Sequence, residues 1–476
     1  MPQIPFVGAS YRERSSNLDA QACINLFPVL GESGTAKAVA ALYGTPGTRP
    51  LVAAPYGPVR AVYAPTDGSS AIVVAGGKVY RLSHTFFTLA EIGDVQQGTG
   101  PVSITDNGTQ AVIVTGANGY IVDLGANTVT RITDDAFYGA NFVDILNGYA
   151  IFNRIGTNQF FISAPDALTF DALDFASAES NFEPIVRLIV NHGELLLFKQ
   201  TVTEIWRASG DVDFPFARDT NAALEQGCAA PWSVAAMDNS VFWLGRNVDG
   251  AGIVWRLNGY TPVRVSTDAV EYAIASYADI SDAVAYAYQQ EGHTFYVLSF
   301  PTAGATWVFD AATQLWHQRA YLDPTTGVLG RHRSNCHMYF AGRHIVGDCT
   351  SGELYTLDLD YYKDRASDPL PAIRAAAHIA DPDYGWIVHN RLQVDIETGV
   401  GIASGQGVAP VALLDWSDDG GHTWSNQHAA ALGRMGEYRA RVRWNRLGRA
   451  RDRVYRITIS DPVKRVIIGA ALNPGD

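Results

Sequence analysis

The chain has 476 residues, 47% of them apolar, which is enough for two or three domains with substantial cores and excludes a disordered chain. Asp and Glu outnumber Lys and Arg by 48 to 35, and a net charge of −13 excludes a protein that grips nucleic acid over its whole surface. Four cysteines, Cys23, Cys228, Cys336 and Cys349, show no CxxC spacing and exclude a disulfide scaffold.

The opening MPQIPFVGASYRER has neither a basic n-region nor an apolar h-region, and no run reaches about eighteen apolar residues, so neither an export signal nor a membrane span is expected. Residues 1–50 read as an extended arm. INLFPVL (24–30) and LYGTPGTRPL (42–51) are short, Pro-punctuated pieces that cannot form a core alone, and the arm is expected to pack on the C-terminal domain.

A repeated unit fills residues 51–365: an apolar strand, a tight turn, then a strand ending in an aromatic. It appears as AIVVAGGKVYRL (71–82), AVIVTGANGYIVDL (111–124), GYAIFNRIGTNQFFIS (148–163) and ELLLFKQTVTEIWRA (194–208). It returns as SVFWLGRNVDGAGIVWRL (240–257), HTFYVLSFPTAGATWVFD (293–310) and HIVGDCTSGELYTLD (344–358). The second-strand aromatics, Tyr80, Tyr120, Phe161, Trp206, Trp255, Trp307 and Tyr355, recur roughly every 40 to 52 residues. That period predicts a β-propeller of about six or seven blades. The near-continuous apolar first strands are expected between neighbouring blades, and the second strands, which alternate more, facing partial solvent. Only TDAVEYAIASYADISDAVAYAY, within 263–290, has the periodicity of a helix.

Beyond the repeats, residues 366–476 predict a separate β-sandwich-like domain, so the fold class is all-β. NRLQVDIETGVG (390–401) alternates cleanly, and VALLDWSDDGGHTWS (411–425) and KRVIIGAAL (464–472) are further strands. From Ala431 onward there are eleven Arg and Lys against four Asp and Glu, so the acidic average hides a basic end. In Tyr438–Trp444 the arginines alternate with Tyr438, Val442 and Trp444, which predicts a guanidinium face opposite an apolar one. Arg439, Arg441, Arg443, Arg446, Arg449 and Arg451 form a candidate docking face for an acidic partner or for DNA phosphates; the plain alternative is a solvated strand face.

Ser417, Asp419, Gly421, Thr423 and Trp424 fit the Asp-box pattern S-x-D-x-G-x-T-W, a structural hairpin turn in which Asp caps backbone amides and Gly supplies positive φ. Cys336, His337, His344 and Cys349 lie close in sequence, yet adjacent residues of a strand point to opposite faces, so a buried structural role is preferred to a zinc site. No phosphate-binding loop, HExxH or GxSxG occurs, and no catalytic residue, metal or cofactor is expected. A carbohydrate-active propeller, sialidase-like or a depolymerase, is the alternative reading, but no pair of carboxylates is marked out for it.

Taken together, INLFPVL with LYGTPGTRPL, VTEIW (202–206), QGCAAPWSVA (226–235), VFWLG (241–245), NRLQVDIETGVG, the Asp-box turn and RWNRLGRARDRVYRITISDPVK (443–464) resemble the packaged-DNA stabilisation family of podoviruses. The resemblance implies a virion tail protein without enzymatic activity, made in the host cytoplasm. It implies a hexameric ring of this chain, a tail hub or nozzle attached to the head-to-tail adaptor below the portal. Its further partners would be a tail needle or plug, tail fibre or spike proteins, and double-stranded DNA passing through without sequence-specific binding.

Overall fold

The computed structural model describes residues 3–211, 213–220 and 222–473; the outermost residues of the expected arm and C-terminal domain lie outside the described residues. Seven antiparallel sheets follow one another along the chain. Their innermost strands are Val59–Tyr63, Ser103–Asp106, Val143–Leu146, Arg187–Asn191, Ala235–Met237, Val284–Gln290 and Ser334–Phe340, and the last packs back on the first. The fold is thus a β-propeller, with seven blades among the described residues, numbered here in chain order.

Each repeat recognised in the sequence is the hairpin of a blade's second and third strands, such as Ala71–Ala75 with Lys78–Leu82. Every residue of Ala71–Ala75 is buried, as expected for a strand between neighbouring blades. Several third strands face solvent less than their sequence alternation suggested, whereas Gly250–Asn258 of blade 5 is largely exposed or half-exposed as expected. Gln159–Ser163 and Ala305–Asp310 are buried almost throughout, because a third strand is still sandwiched between adjacent blades. The exposed strands are the fourth, Leu89–Asp94, Thr128–Arg131, Phe170–Ser177 and Thr261–Arg264 among them.

The first and second strands of blades 3 to 7 are joined by two-residue turns with both residues at positive φ: Asn147-Gly148, His192-Gly193, Asp238-Asn239, Glu291-Gly292 and Ala341-Gly342. Such turns match the right-handed twist of the strands they connect. The helical stretch is shorter than its periodicity suggested, Asp268–Ala275, with the Thr267 side chain capping the Val270 amide. Val284–Gln290 alternates buried and half-exposed residues and is the inner strand of blade 6.

The fourth strand of blade 7 comes from the other end of the chain. Gly47–Ala53 pairs with Glu353–Asp358 and closes the ring, so a blade strand begins at Gly47, inside the segment expected to be arm. The rest of the arm enters a two-sheet sandwich. One sheet runs Leu26–Leu30, Ala40–Gly44, Val466–Leu472, Arg391–Ile396, Val442–Asn445, with Gln3–Ile4 also on Val466–Leu472. Pro28 is tolerated because Leu26–Leu30 is an edge strand. The other sheet runs Ala20–Ile24, Ala372–Ala375, Asp452–Ile459, Val411–Ser417, His428–Ala431. Its first strand also pairs in parallel with the outer strand of blade 6, Ile24 opposite Gln318, so one sheet continues from propeller to sandwich. Phe6, Cys23, Leu26 and Leu42 of the arm share a core with Leu392, Trp444, Tyr455 and Ile467.

Two buried polar residues fix the arm. Asn25, at φ 55°, turns the chain from one sheet into the other; its Nδ2 donates to the carbonyls of Ala320 and Pro371 (2.8 and 2.9 Å), and its Oδ1 accepts from the Ala320 amide. Arg374 donates to the carbonyls of Phe6, Ala9 and Ala22 and to Gln21 Oε1. The buried cation is thereby satisfied by arm carbonyls.

Candidate docking face

Val442–Asn445 is the edge strand of its sheet, four strands away from Leu26–Leu30, the strand whose Phe27 packs against Phe295 of blade 6. Along it Val442 and Trp444 are buried and Arg443 and Asn445 exposed, with Trp444 Nε1 donating to the His428 carbonyl (2.8 Å). The alternation expected from Tyr438 holds only from Val442. Residues 438–441 are not strand, and Tyr438 is 75% exposed.

Arg439, Arg441, Arg443, Arg446, Arg449 and Arg451 are all exposed. None has an acidic partner among the described residues, and Arg449 and Arg451 both lie over the ring of Trp386, 4.7 and 5.2 Å from its centroid. The neighbouring arginines are different. Arg453 forms a two-pronged bond to Asp418 (2.6 and 2.8 Å), and Arg456 pairs with Asp415 while stacking 3.8 Å from the centroid of Trp424. Arg465 is buried and donates to the Leu370 carbonyl. The basic segment therefore separates into structural arginines with partners and six free ones, whose planar forks suit carboxylate or phosphate.

The Asp box is the hairpin turn between Val411–Ser417 and His428–Ala431. Asp419 accepts from the Ser417 hydroxyl (2.6 Å) and from the hydroxyl and amide of Thr423 (2.6 and 2.8 Å), bonds that hold its carboxyl well below its ordinary range, and Ser417 Oγ in turn accepts from the Gly421 amide (2.7 Å). The side chains of Ser417, Asp419 and Thr423 are thus engaged with one another inside the turn. Trp424 packs beside Gly421 of the turn and carries Arg456 stacked on its ring.

Cys336 and His337 share the strand Ser334–Phe340. His337 stacks on Tyr286 with its Nε2 3.2 Å from His344 Nδ1, while burial pushes the Cys336 thiol up to about 12. Among the described residues no group of three or more His, Cys, Asp or Glu is placed to hold a metal. On the propeller axis Arg60, Arg187, Trp232 and Tyr286 surround a cavity of about 260 Å³, far too small for a nucleic acid duplex. No helix among the described residues is long and apolar enough to cross a membrane.

A propeller closed by an N-terminal arm and a sandwich completed by the same arm define an all-β protein, with a run of exposed arginines on the sandwich that have no acidic partner among the described residues. The model of the β-propeller of bacteriophage P22 Gp10 matches residues 2–362, and that of the Gp10 β-sandwich matches residues 372–473. The chain belongs to this phage family, structural virion proteins that stabilise packaged DNA. Among curated proteins no match is found. Of solved structures, PorZ, a surface component of the type-IX secretion system of Porphyromonas gingivalis, is 12% identical with a TM-score of 0.39, over 82% of this chain and 46% of that one. A chain of a mitotic checkpoint complex is 11% identical with a TM-score of 0.42, over 64% of this chain and 92% of that one. These likenesses are too loose to bear on function.

Proposed function

We propose that this chain is the ring-forming subunit of a short-tailed phage's tail hub, seated below the head-to-tail adaptor, extending the DNA channel and retaining the genome until ejection. The observation that carries this reading is the match to one virion family over both domains. The six unpaired arginines supply a docking face for an acidic surface within the tail. The chain acts without catalysis: its best-formed motif, the Asp box, has its carboxylate engaged in a turn. In this reading the DNA path runs between subunits on the ring axis, and the small cavity at the inner strands of the propeller supports that over a path through a propeller. An acidic wall there would let DNA slide without sticking. A plug or needle closes the channel below, and fibres or spikes attach around it.

Light scattering on the purified protein, alone and mixed with the portal–adaptor complex of the same phage, tests this. A ring of about six copies on the complex is expected. A chain that ignores the complex and cleaves a bacterial surface polysaccharide would overturn the reading.

A further inference from the structure

The arginine face requires an acidic counterpart, and the chain itself carries one. Residues 101–250, which make up blades 2 to 4 and the start of blade 5, contain 18 Asp and Glu against 7 Arg and Lys. Within this arc the rim of blade 3 stands out. Its outermost strand, Phe170–Ser177, is eight residues long and pairs only on its inner side. Residues 171–174 bulge out of its pairing, and there Leu173 is 81% exposed, with Asp171 and Asp174 beside it and Phe175 37% exposed next along the strand. Phe182, in the loop leading to blade 4, is fully exposed, and Glu179 precedes it. Asp171, Asp174 and Glu179 have no cationic partner among the described residues. A long edge strand with bare apolar side chains is a surface that a monomer avoids.

We infer that copies of this chain associate head to tail, the arginine face of one sandwich seating on the acidic, apolar rim of blade 3 of the next. The inference rests on the ring reading above and names the contact that builds the ring. Position supports it. The sandwich is joined to blade 6 by strand pairing and, through the arm, to blade 7, and in a ring of seven blade 3 lies across from that junction. The arginine-bearing edge strand is in turn the one farthest from the propeller in its sheet. The two surfaces therefore belong to different parts of the subunit, the free edge of the sandwich and the rim of blade 3, and a contact between copies would satisfy both. A two-fold contact through either patch would set like charges against each other, so the pairing is heterologous, which generates rings. Composition supports it as well. Trp386, Tyr384, Tyr438 and Met435 are exposed among the arginines and offer apolar contact to Leu173 and Phe175, the mixture of aromatic and arginine found at interface centres.

The test uses two charge-reversed chains on the portal–adaptor complex, one with R441E and R443E, the other with D174K and E179K. Each alone is expected to lose ring formation while keeping the wild-type melting temperature. An equimolar mixture is expected to recover it, because each reversed face then meets a reversed rim and each native face a native rim. Ring formation by either variant alone, or no recovery in the mixture, would overturn the inference. Wild-type assembly should also weaken at least tenfold between 50 and 500 mM salt, and a salt-independent ring would count equally against it. If wild-type protein forms no ring at all, it is the hub reading that fails; if the ring forms regardless of these substitutions, only the contact assigned here fails.

Discussion

Asp364 lies at the junction of arm, blade 7 and sandwich, where its Oδ1 accepts from Thr48 Oγ1 (2.9 Å) and burial pushes its carboxyl up to about 7. The unfolded chain loses the same proton near pH 4. Between these values the folded state binds more protons, so this residue's contribution to stability falls as pH rises from about 4 to about 7 and is level above. Asp364→Asn, which keeps an acceptor for Thr48, is expected to exceed wild type in stability at pH 8 by a few kcal/mol, at about 1.4 kcal/mol for each tenfold difference in proton affinity between folded and unfolded chain, and to match it near pH 4.5. Urea titrations at pH 4.5, 6 and 8 check this; equal stability of the two proteins at all three would refute it. Residue identity revealed only part of such detail in the sequence. The six exposed arginines were legible as a group because they alternate and cluster. That Arg453 and Arg456 are structural was not, because their partners Asp418 and Asp415 lie 35 and 41 residues upstream, across a strand pairing no local pattern announces.

Among elements, the seven repeated hairpins were legible because both strands are local and the turn is short. The strands completing each blade were less so. Fourth strands such as Thr128–Arg131 are brief and exposed, with no apolar pattern to mark them, and the fourth strand of blade 7 is supplied from about 300 residues away. The two-residue turns that open blades 3 to 7 did carry a signal, a glycine or asparagine second in the pair, which was open to a reader of turns. The arm shows what sequence conceals most. Its pieces read as extended, but their assignment to two sheets depends on Asn25, whose left-handed backbone and three side-chain bonds all lie at a buried crossing. Asn25→Ala is expected to cost about 3 kcal/mol, combining a left-handed backbone without asparagine's tolerance for it and the carbonyls of Ala320 and Pro371 left unpaired. Asn25→Gly should recover about 1 kcal/mol of this by relieving the backbone alone. Denaturant midpoints of the three proteins decide it, and an alanine variant as stable as wild type would show that the crossing is held by packing alone.

For the whole molecule the consequence is mechanical. The arm closes the propeller with Gly47–Ala53, contributes strands to both sheets of the sandwich, and through Ala20–Ile24 joins blade 6 to that sandwich in one continuous sheet. Arg374 and Asn25 then tie sandwich, arm and blade 6 by bonds to backbone carbonyls. Neither domain has a complete boundary without the arm, so the two should unfold together although each has its own core. Calorimetry is expected to show one transition whose measured and van't Hoff enthalpies agree. Removing residues 1–46, which spares the strand that closes blade 7 but takes Phe6, Cys23, Leu26 and Leu42 from the sandwich core, should leave a propeller that melts alone beside a sandwich that binds hydrophobic dyes. Two separate transitions in the intact chain would mean that the shared sheet does not couple the domains. A single transition would show that propeller and sandwich unfold as one cooperative unit through the sheet they share.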